Sequence, residues 1–223
     1  PKLRLLFQFL LLFIFLQINS QIQIDTRIDT LNELINNKYL RLFFISFFIL
    51  VFINGSNFID GVNCLSSLNF LIILIFLYLL SKDIEAFQIN ELVHLLIISM
   101  IVFILFNFFG KSFLGDGGVY GLSFFLAIII IELSMLNEKI SPYFIANLLL
   151  YPAFENLFSI VRRVSINKKN YLADNNHLHQ LLFKYLNSKK IIKQKFLLSS
   201  FTGIIINFYL VIIYFIGYIN YSD

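Results

Sequence analysis

The chain has 223 residues, of which 59% are hydrophobic and 13% charged, with a net charge of +4 and a mean hydropathy of +0.83. A soluble domain of this length needs about twice that share of charged residues to cover its surface, so a single water-soluble globule is excluded. The single cysteine, Cys64, excludes an intrachain disulfide.

Seven apolar runs approach the roughly 20 residues that a helix needs to cross a bilayer. They are Leu3–Ile18, Tyr39–Ile53, Leu65–Leu80, Leu92–Phe109, Tyr120–Leu136, Ile140–Ile160 and Phe196–Tyr218. None alternates apolar and polar residues as a barrel strand does, which leaves helices as the spanning element. The expected fold is an all-α, polytopic membrane bundle of about seven helices, one membrane domain over residues 1–223.

The first run follows Lys2 and Arg4, but no small-residue cleavage site follows Ile18, so it reads as a span and not as a signal peptide. The chain opens at Pro1 without a methionine and is expected to be an N-terminally truncated piece. The second run is short and leads into NGSNFIDGVN, with polar side chains at Asn54, Asn57, Asp60 and Asn63. On a helix a step of three advances about 300°, so Asn54, Asn57 and Asp60 share an arc of about 120° and Asn63 drifts to its edge. An amide ladder ending in a carboxylate fits the wall of a polar cleft, and an ionisable group at this depth usually has a function. The alternative is a simple helix cap.

After the fourth run comes FNFFGKSFLGDGG, Phe106 to Gly118, in which glycines frame Asp116. Such a loop lets backbone approach a phosphate closely, and one carboxylate in it can hold Mg²⁺ with substrate phosphate oxygens. A tight turn between two membrane helices is the alternative. Glu132 and Glu155 fall inside later spans and are expected to face the bundle, Glu155 bracing Arg162 or Arg163 without a catalytic role.

The segment from Arg162 to Lys195 holds nine of the 17 lysines and arginines, in a basic loop followed by an amphipathic helix. Its cations and His177 and His179 are what a pyrophosphate beside a carboxylate pocket needs. Binding of anionic lipid headgroups is the alternative, and a zinc site lacks further ligands. By the positive-inside rule the segment is cytoplasmic. Counting crossings back from it puts segments 54–64, 106–118 and 162–195 on the cytoplasmic face and the C-terminus outside.

Together, in this order and spacing, the three segments resemble the polyprenyl-phosphate N-acetylhexosamine-1-phosphate transferases of glycosyltransferase family 4, the WecA, TagO and MraY type. The pattern N-x-x-N-x-x-D-G resembles Asn54 to Gly61. F-N-F and F-M-G-D-x-G resemble Phe106 to Phe108 and Phe113 to Gly118, and R-R and H-I-H-H resemble Arg162, Arg163 and residues 177–180. The start, PKLRLL, is similar to the stretch that follows the family's paired-aspartate motif, which is absent from this sequence. The histidine-containing segment is more similar to the WecA branch.

The resemblance implies an enzyme of the bacterial inner membrane that moves a sugar-1-phosphate from a UDP-HexNAc to polyprenyl (undecaprenyl) phosphate, releasing UMP. Lipopolysaccharide, O-antigen or a teichoic-acid-like polymer would follow. It implies Asp60 and Asp116 as catalytic carboxylates, with Asp116 holding Mg²⁺ (Mn²⁺ as second choice). Asn54, Asn57, Asn63, Asn107 and Phe113 would face the nucleotide, and His177, His179, Arg162 and Arg163 the diphosphate or sugar. UDP-HexNAc, the carrier lipid and membrane lipid are the expected partners, with a homodimer left open and no nucleic acid. Departures are Asn63 where a second Asp is frequent, Cys64 where Gly is, Gly117 for Ser or Ala, and Gln180 for the last histidine. They leave the specificity for sugar and nucleotide open. The rivals are a catalytically inactive relative that binds carrier lipid or scaffolds glycan assembly, and a transporter, for which no internal repeat or broken helix is evident.

Overall fold

Backbone N–H and C=O groups find no water in hydrocarbon, so a chain this apolar must satisfy them within helices. The computed structural model describes residues 2–19, 22–165, 176–190 and 192–222, and among these there are helices and no strand. The helices are α1 (Lys2–Ile18), α2 (Asp29–Ile35), α3 (Lys38–Ile59), α4 (Leu65–Asp83), α5 (Phe87–Phe108), α6 (Gly115–Leu136), α7 (Pro142–Leu148), α8 (Leu150–Ser165), α9 (Leu178–Ser188) and α10 (Lys195–Ile219). The molecule is a polytopic helical membrane bundle.

Helices α3 and α4 form its centre. Helix α3 packs on α1, α6 and α8, while α4 packs on α5 and α10. Leu42, Ile45, Phe52, Phe70, Ile73, Leu77, Leu126 and Tyr214 fill the core, whereas Leu95, Val102, Phe125, Phe208 and Phe215 lie exposed. In lipid, apolar residues gain nothing by facing inward, so small polar groups become the interhelical contacts. Asn207 Nδ2 donates to the carbonyls of Cys64 and Leu65 at 3.2 and 3.0 Å, Asn69 Nδ2 to the Tyr214 hydroxyl at 3.1 Å, and Ser200 Oγ to the Phe108 carbonyl at 2.7 Å. These bonds tie α10 to α4 and α5.

Five helices, α3, α4, α5, α6 and α10, are long and apolar enough to cross a membrane, and the bent pair α7 and α8 makes a sixth if taken as one span. The apolar part of α1, Leu3–Ile18, falls short of that length. Among the described residues, five or six spans thus stand where about seven were expected.

The run Ile140–Ile160 is not one straight crossing. It bends by 71° between α7 and α8. Pro152 explains the place, because its ring clashes with the carbonyl of the residue four earlier, Leu148, where α7 ends. Beyond the bend α8 buries Tyr151, Glu155, Asn156 and Ser159 against the protein and exposes Leu150, Phe154, Phe158 and Val161. Gly55 permits the close crossing, since a Cβ there would overlap the Pro152 carbonyl. The transporter alternative draws on broken helices, and this break corrects the expectation that there is none.

Other boundaries moved for local reasons. Helix α3 continues through Ile59 and carries Asn54 and Asn57 on its last turns. The glycine-rich segment expected as a loop is the first turn of α6. Helix α2 lies in the connection after α1, where no element was expected.

Polar contacts gather at the two ends of the bundle. At one end lie the start of α1, the α3–α4 and α5–α6 turns, α9 and the start of α10. At the other, the Arg27 guanidinium donates to the carbonyls of Ser222 and Lys139, both at 3.1 Å, and Tyr218 Oη donates to Asp83 at 2.6 Å.

Candidate functional site

A helix that ends at a membrane boundary leaves its last carbonyls without partners, and the polar run after Ile53 occupies that position on α3. Asn54 is buried and donates through Nδ2 to Gln8 Oε1 of α1 at 3.2 Å and to the Leu50 carbonyl at 2.9 Å. Asn57, one turn further, is half-buried and donates through Nδ2 to Asp116 Oδ1 of α6 at 2.9 Å. Asp60 is the C-cap, and its carboxylate accepts from the Ser66 hydroxyl of α4. Burial pushes the Asp60 carboxyl above the usual carboxylate range; Ser66 opposes this and the neighbouring Asp116 charge adds to it.

Past the cap, the chain turns sharply into α4. Cys64 has φ 62°, a left-handed conformation that favours glycine, which gives a physical reason for the glycine frequent at this position. The turn is pinned from two sides. The Asn63 backbone N–H donates to Ser199 Oγ at 2.9 Å, and the Cys64 N–H donates to Asn107 Oδ1 at 2.7 Å. Asn63 and Asn107 are buried. Asn107 Oδ1 also accepts from Ser67 at 3.1 Å while Nδ2 donates to the Ser112 carbonyl at 2.7 Å, so this residue clamps the α3–α4 turn to the α5–α6 turn.

The α5–α6 turn then delivers Asp116. Gly115, at φ +63°, opens α6, and Asp116 follows in its first turn, where unpaired N–H groups and the helix dipole favour negative charge. Its side chain is about 70% exposed, and its second oxygen lies 3.9 Å from the Arg4 guanidinium of α1. Arg4 also sits over the Tyr120 ring, 5.7 Å from its centroid. Phe113 is exposed on the same turn.

The third segment closes over the first. His177 is the N-cap of α9, and its Nδ1 lies 2.9 Å from Glu155 Oε2; Glu155 Oε1 accepts the Leu178 backbone N–H at 3.1 Å. Three rings stack in a row: Phe58 of α3 on His177 at 5.4 Å, and His177 on His179 at 5.6 Å. His179 is fully buried, and neither of its ring nitrogens has a partner. Burial holds its imidazole down to about 4, well below the ordinary value. A Cβ on Gly61 would stand 2.5 Å from His179 Nε2, so the glycine next to Asp60 is where the overhang meets the carboxylates. Arg162 donates to the Asn176 carbonyl at 2.7 Å and covers the Phe158 ring; Arg163 is half-buried on the same helix end. Residues 166–175, the middle of the basic loop, lie outside the described residues.

The structure thus joins Asn57, Asp60 and Asp116 at one point and places His177 and His179 across Gly61 from them. Asn54 and Asn107 bond into the framework through their side chains, and Asn63 is buried, tied through its backbone N–H. Glu155 corrects an expectation: it braces His177 rather than Arg162 or Arg163. Glu132 corrects another, being exposed, beside a cavity of about 460 Å³ toward the far end that Phe15, Ile22 and Met135 also line. Nothing in the sequence marked Arg4, Ser66 or Phe58 for a site role. Glu155 carried a usable signal, as a carboxylate inside an apolar run, but not its partner.

Comparison with known proteins places the first part of the chain in a family. The family model described as Glycosyl transferase family 4 matches residues 1–134, which carry Arg4, Asp60, Asp116 and both turns around them. No curated protein matches the chain. More than half of the residues lie within the match, the paired carboxylates among them, and the chain belongs to glycosyl transferase family 4.

Proposed function

We propose that the protein transfers HexNAc-1-phosphate from a UDP-HexNAc to polyprenyl phosphate, giving polyprenyl-diphosphate-sugar and UMP. The observation that carries this reading is the meeting of Asp60 and Asp116 at one end of a membrane bundle, joined through Asn57 and overhung by the histidines of α9. In the reaction a phosphate oxygen of the carrier attacks the β-phosphorus of the donor. The bond from that phosphorus to the bridging oxygen breaks, and the leaving electrons go to UMP. Charge accumulates on the transferring group, so positioning and electrostatics do the catalytic work.

Asp116 is exposed, anchored by Asn57 and flanked by Gly115 and Gly117, which leave its approach open, and Asp60 is its carboxylate neighbour. Among the described residues no group of three or more His, Cys, Asp or Glu gathers as a metal cage. One or two carboxylates completed by substrate phosphates is how Mg²⁺ is usually held, so these residues fit it, with Asp116 as the ligand. The ion, Mg²⁺ or Mn²⁺, would supply charge neutralisation at the transferring phosphoryl group. Asp60, held by Ser66, supports the same cleft, and Asn57 keeps Asp116 oriented. His177, Arg162 and Arg163 would contact the diphosphate or sugar, and His179, sealed beneath His177, would support it. Phe113, exposed beside Asp116, is placed to meet the uridine; Asn54, Asn63 and Asn107 shape that wall. The site face is cytoplasmic in a bacterial inner membrane, following the basic segment 162–195.

The test is UMP release from a panel of UDP-HexNAc donors by membranes holding the full-length protein, with polyprenyl phosphate and Mg²⁺ supplied or withheld. Release that needs lipid and metal is the expected result. No release from folded protein with any donor would leave the inactive relative as the better reading.

A further inference from the structure

A carboxylate buried in an apolar helix needs compensation, and Glu155 finds all of it in a segment 22 residues away. It is 4% exposed, as is its partner His177. One oxygen takes the Leu178 backbone N–H at 3.1 Å and the other faces His177 Nδ1 at 2.9 Å. A carboxylate only accepts, so Nδ1 must carry the proton. His177 Nε2 is left as the free ring nitrogen and, unlike both nitrogens of His179, is not among the atoms sealed from solvent without a partner. The ring cannot swing, being stacked between Phe58 and His179.

We propose that Glu155 is a positioning residue that fixes the protonation and orientation of His177, so that His177 Nε2 meets the substrate while the neighbouring His179 serves as a stacked, sealed support. The catalytic part of this inference rests on the transferase reading; the pairing itself does not. The two histidines, equivalent in the sequence, then have different duties. The ionisable and charged groups around the pair are Tyr151 and Arg162 on α8 and His179 on α9; α3 contributes Phe58 and the α3–α4 turn Gly61, neither of which titrates.

Gln at position 155 keeps the size of the side chain, and its amide NH₂ would face Nδ1 and drive the proton to Nε2. The experiment uses full-length protein in lipid nanodiscs with ¹⁵N-labelled histidine, in which the imidazoles of His94, His177 and His179 are assigned. In wild type we expect Nδ1 of His177 to be protonated. In Glu155→Gln the proton moves to Nε2 while His94 keeps its spectrum. Turnover falls about 10- to 100-fold with a smaller change in KM and a displaced pH profile. Adding Glu155→Gln to His177→Ala lowers turnover no further. Glu155→Asp retains the Nδ1 proton and recovers part of the rate.

An unprotonated His177 Nδ1 in wild type overturns the proposal without any variant. Unchanged turnover and pH profile in a Glu155→Gln protein that has switched tautomer overturn it as well, as do independent, multiplying losses in the double variant. Absence of wild-type turnover with every donor sinks the transferase reading instead, while the wild-type spectrum still decides the pairing.

Discussion

The two ends of the bundle carry similar polar side chains and use them differently. At the far end, Arg27, Tyr218 and Asn32 find partners among backbone carbonyls and carboxylates of neighbouring loops, such as Arg27 on Ser222 and Lys139. At the other end, Asp116 is largely exposed with a cation and an amide beside it, Asp60 is held off its ordinary protonation by burial, and His179 is sealed without a partner. One end is satisfied and the other is poised. Hydrogen bonds that close a fold leave nothing over for a substrate, and unsatisfied or strained polar groups persist where a ligand is to complete them.

Asp116→Asn should break the poised end most. Turnover is expected to drop at least 100-fold, roughly 3 kcal/mol in the barrier, with insertion into the membrane unchanged because the side chain is exposed. Wild-type rates in that variant would remove Asp116 as the metal ligand.

Acid should come next. The folded His179 takes up its proton only near 4, against 6.5 for the ordinary side chain, so the unfolded chain binds the proton first and stability falls as pH drops below 6.5. About 2 kcal/mol is expected to be lost between pH 7 and 5. Denaturant unfolding in micelles at both pH values, wild type against His179→Phe, isolates this part; equal slopes would show that His179 does not titrate so low.

Gly61→Ala sharpens the same end more gently. Its methyl group would crowd His179 Nε2, pushing α9 off the carboxylates, and a turnover loss of about 10-fold is expected from a displaced overhang. Full activity with an unaltered thermal midpoint would mean that α9 yields freely there.

Smallest is Arg27→Ala at the satisfied end. It removes the bonds to the Ser222 and Lys139 carbonyls, among others, and should lower stability by about 1 kcal/mol without touching turnover. A change in KM for the UDP-sugar would dissolve the distinction between the ends.

Much of this was legible in order along the chain. The apolar runs announced helices because hydrocarbon permits no other backbone arrangement, and Asp60 and Asp116 stood out as carboxylates at membrane boundaries. The break after Leu148 was less visible, although Pro152 marks it, because a proline in an apolar run also sits comfortably in a first helical turn. Asn107 stood out as an amide at a helix end, but its bonds to Cys64, Ser67 and Ser112 were not legible, since such an amide bonds equally well to backbone and to substrate.

By itself the sequence determined the lipid-soluble class and the long apolar helices, though not that α6 begins as early as Gly115. Only the tertiary structure decided that Asn57 reaches across 59 residues to Asp116, and that Glu155 belongs to His177. Periodicity says which residues share a helix face and nothing about which helix stands opposite. That pairing comes from close packing, set here by Gly55 against Pro152 and Gly61 against His179, where the absence of a single Cβ lets two segments touch.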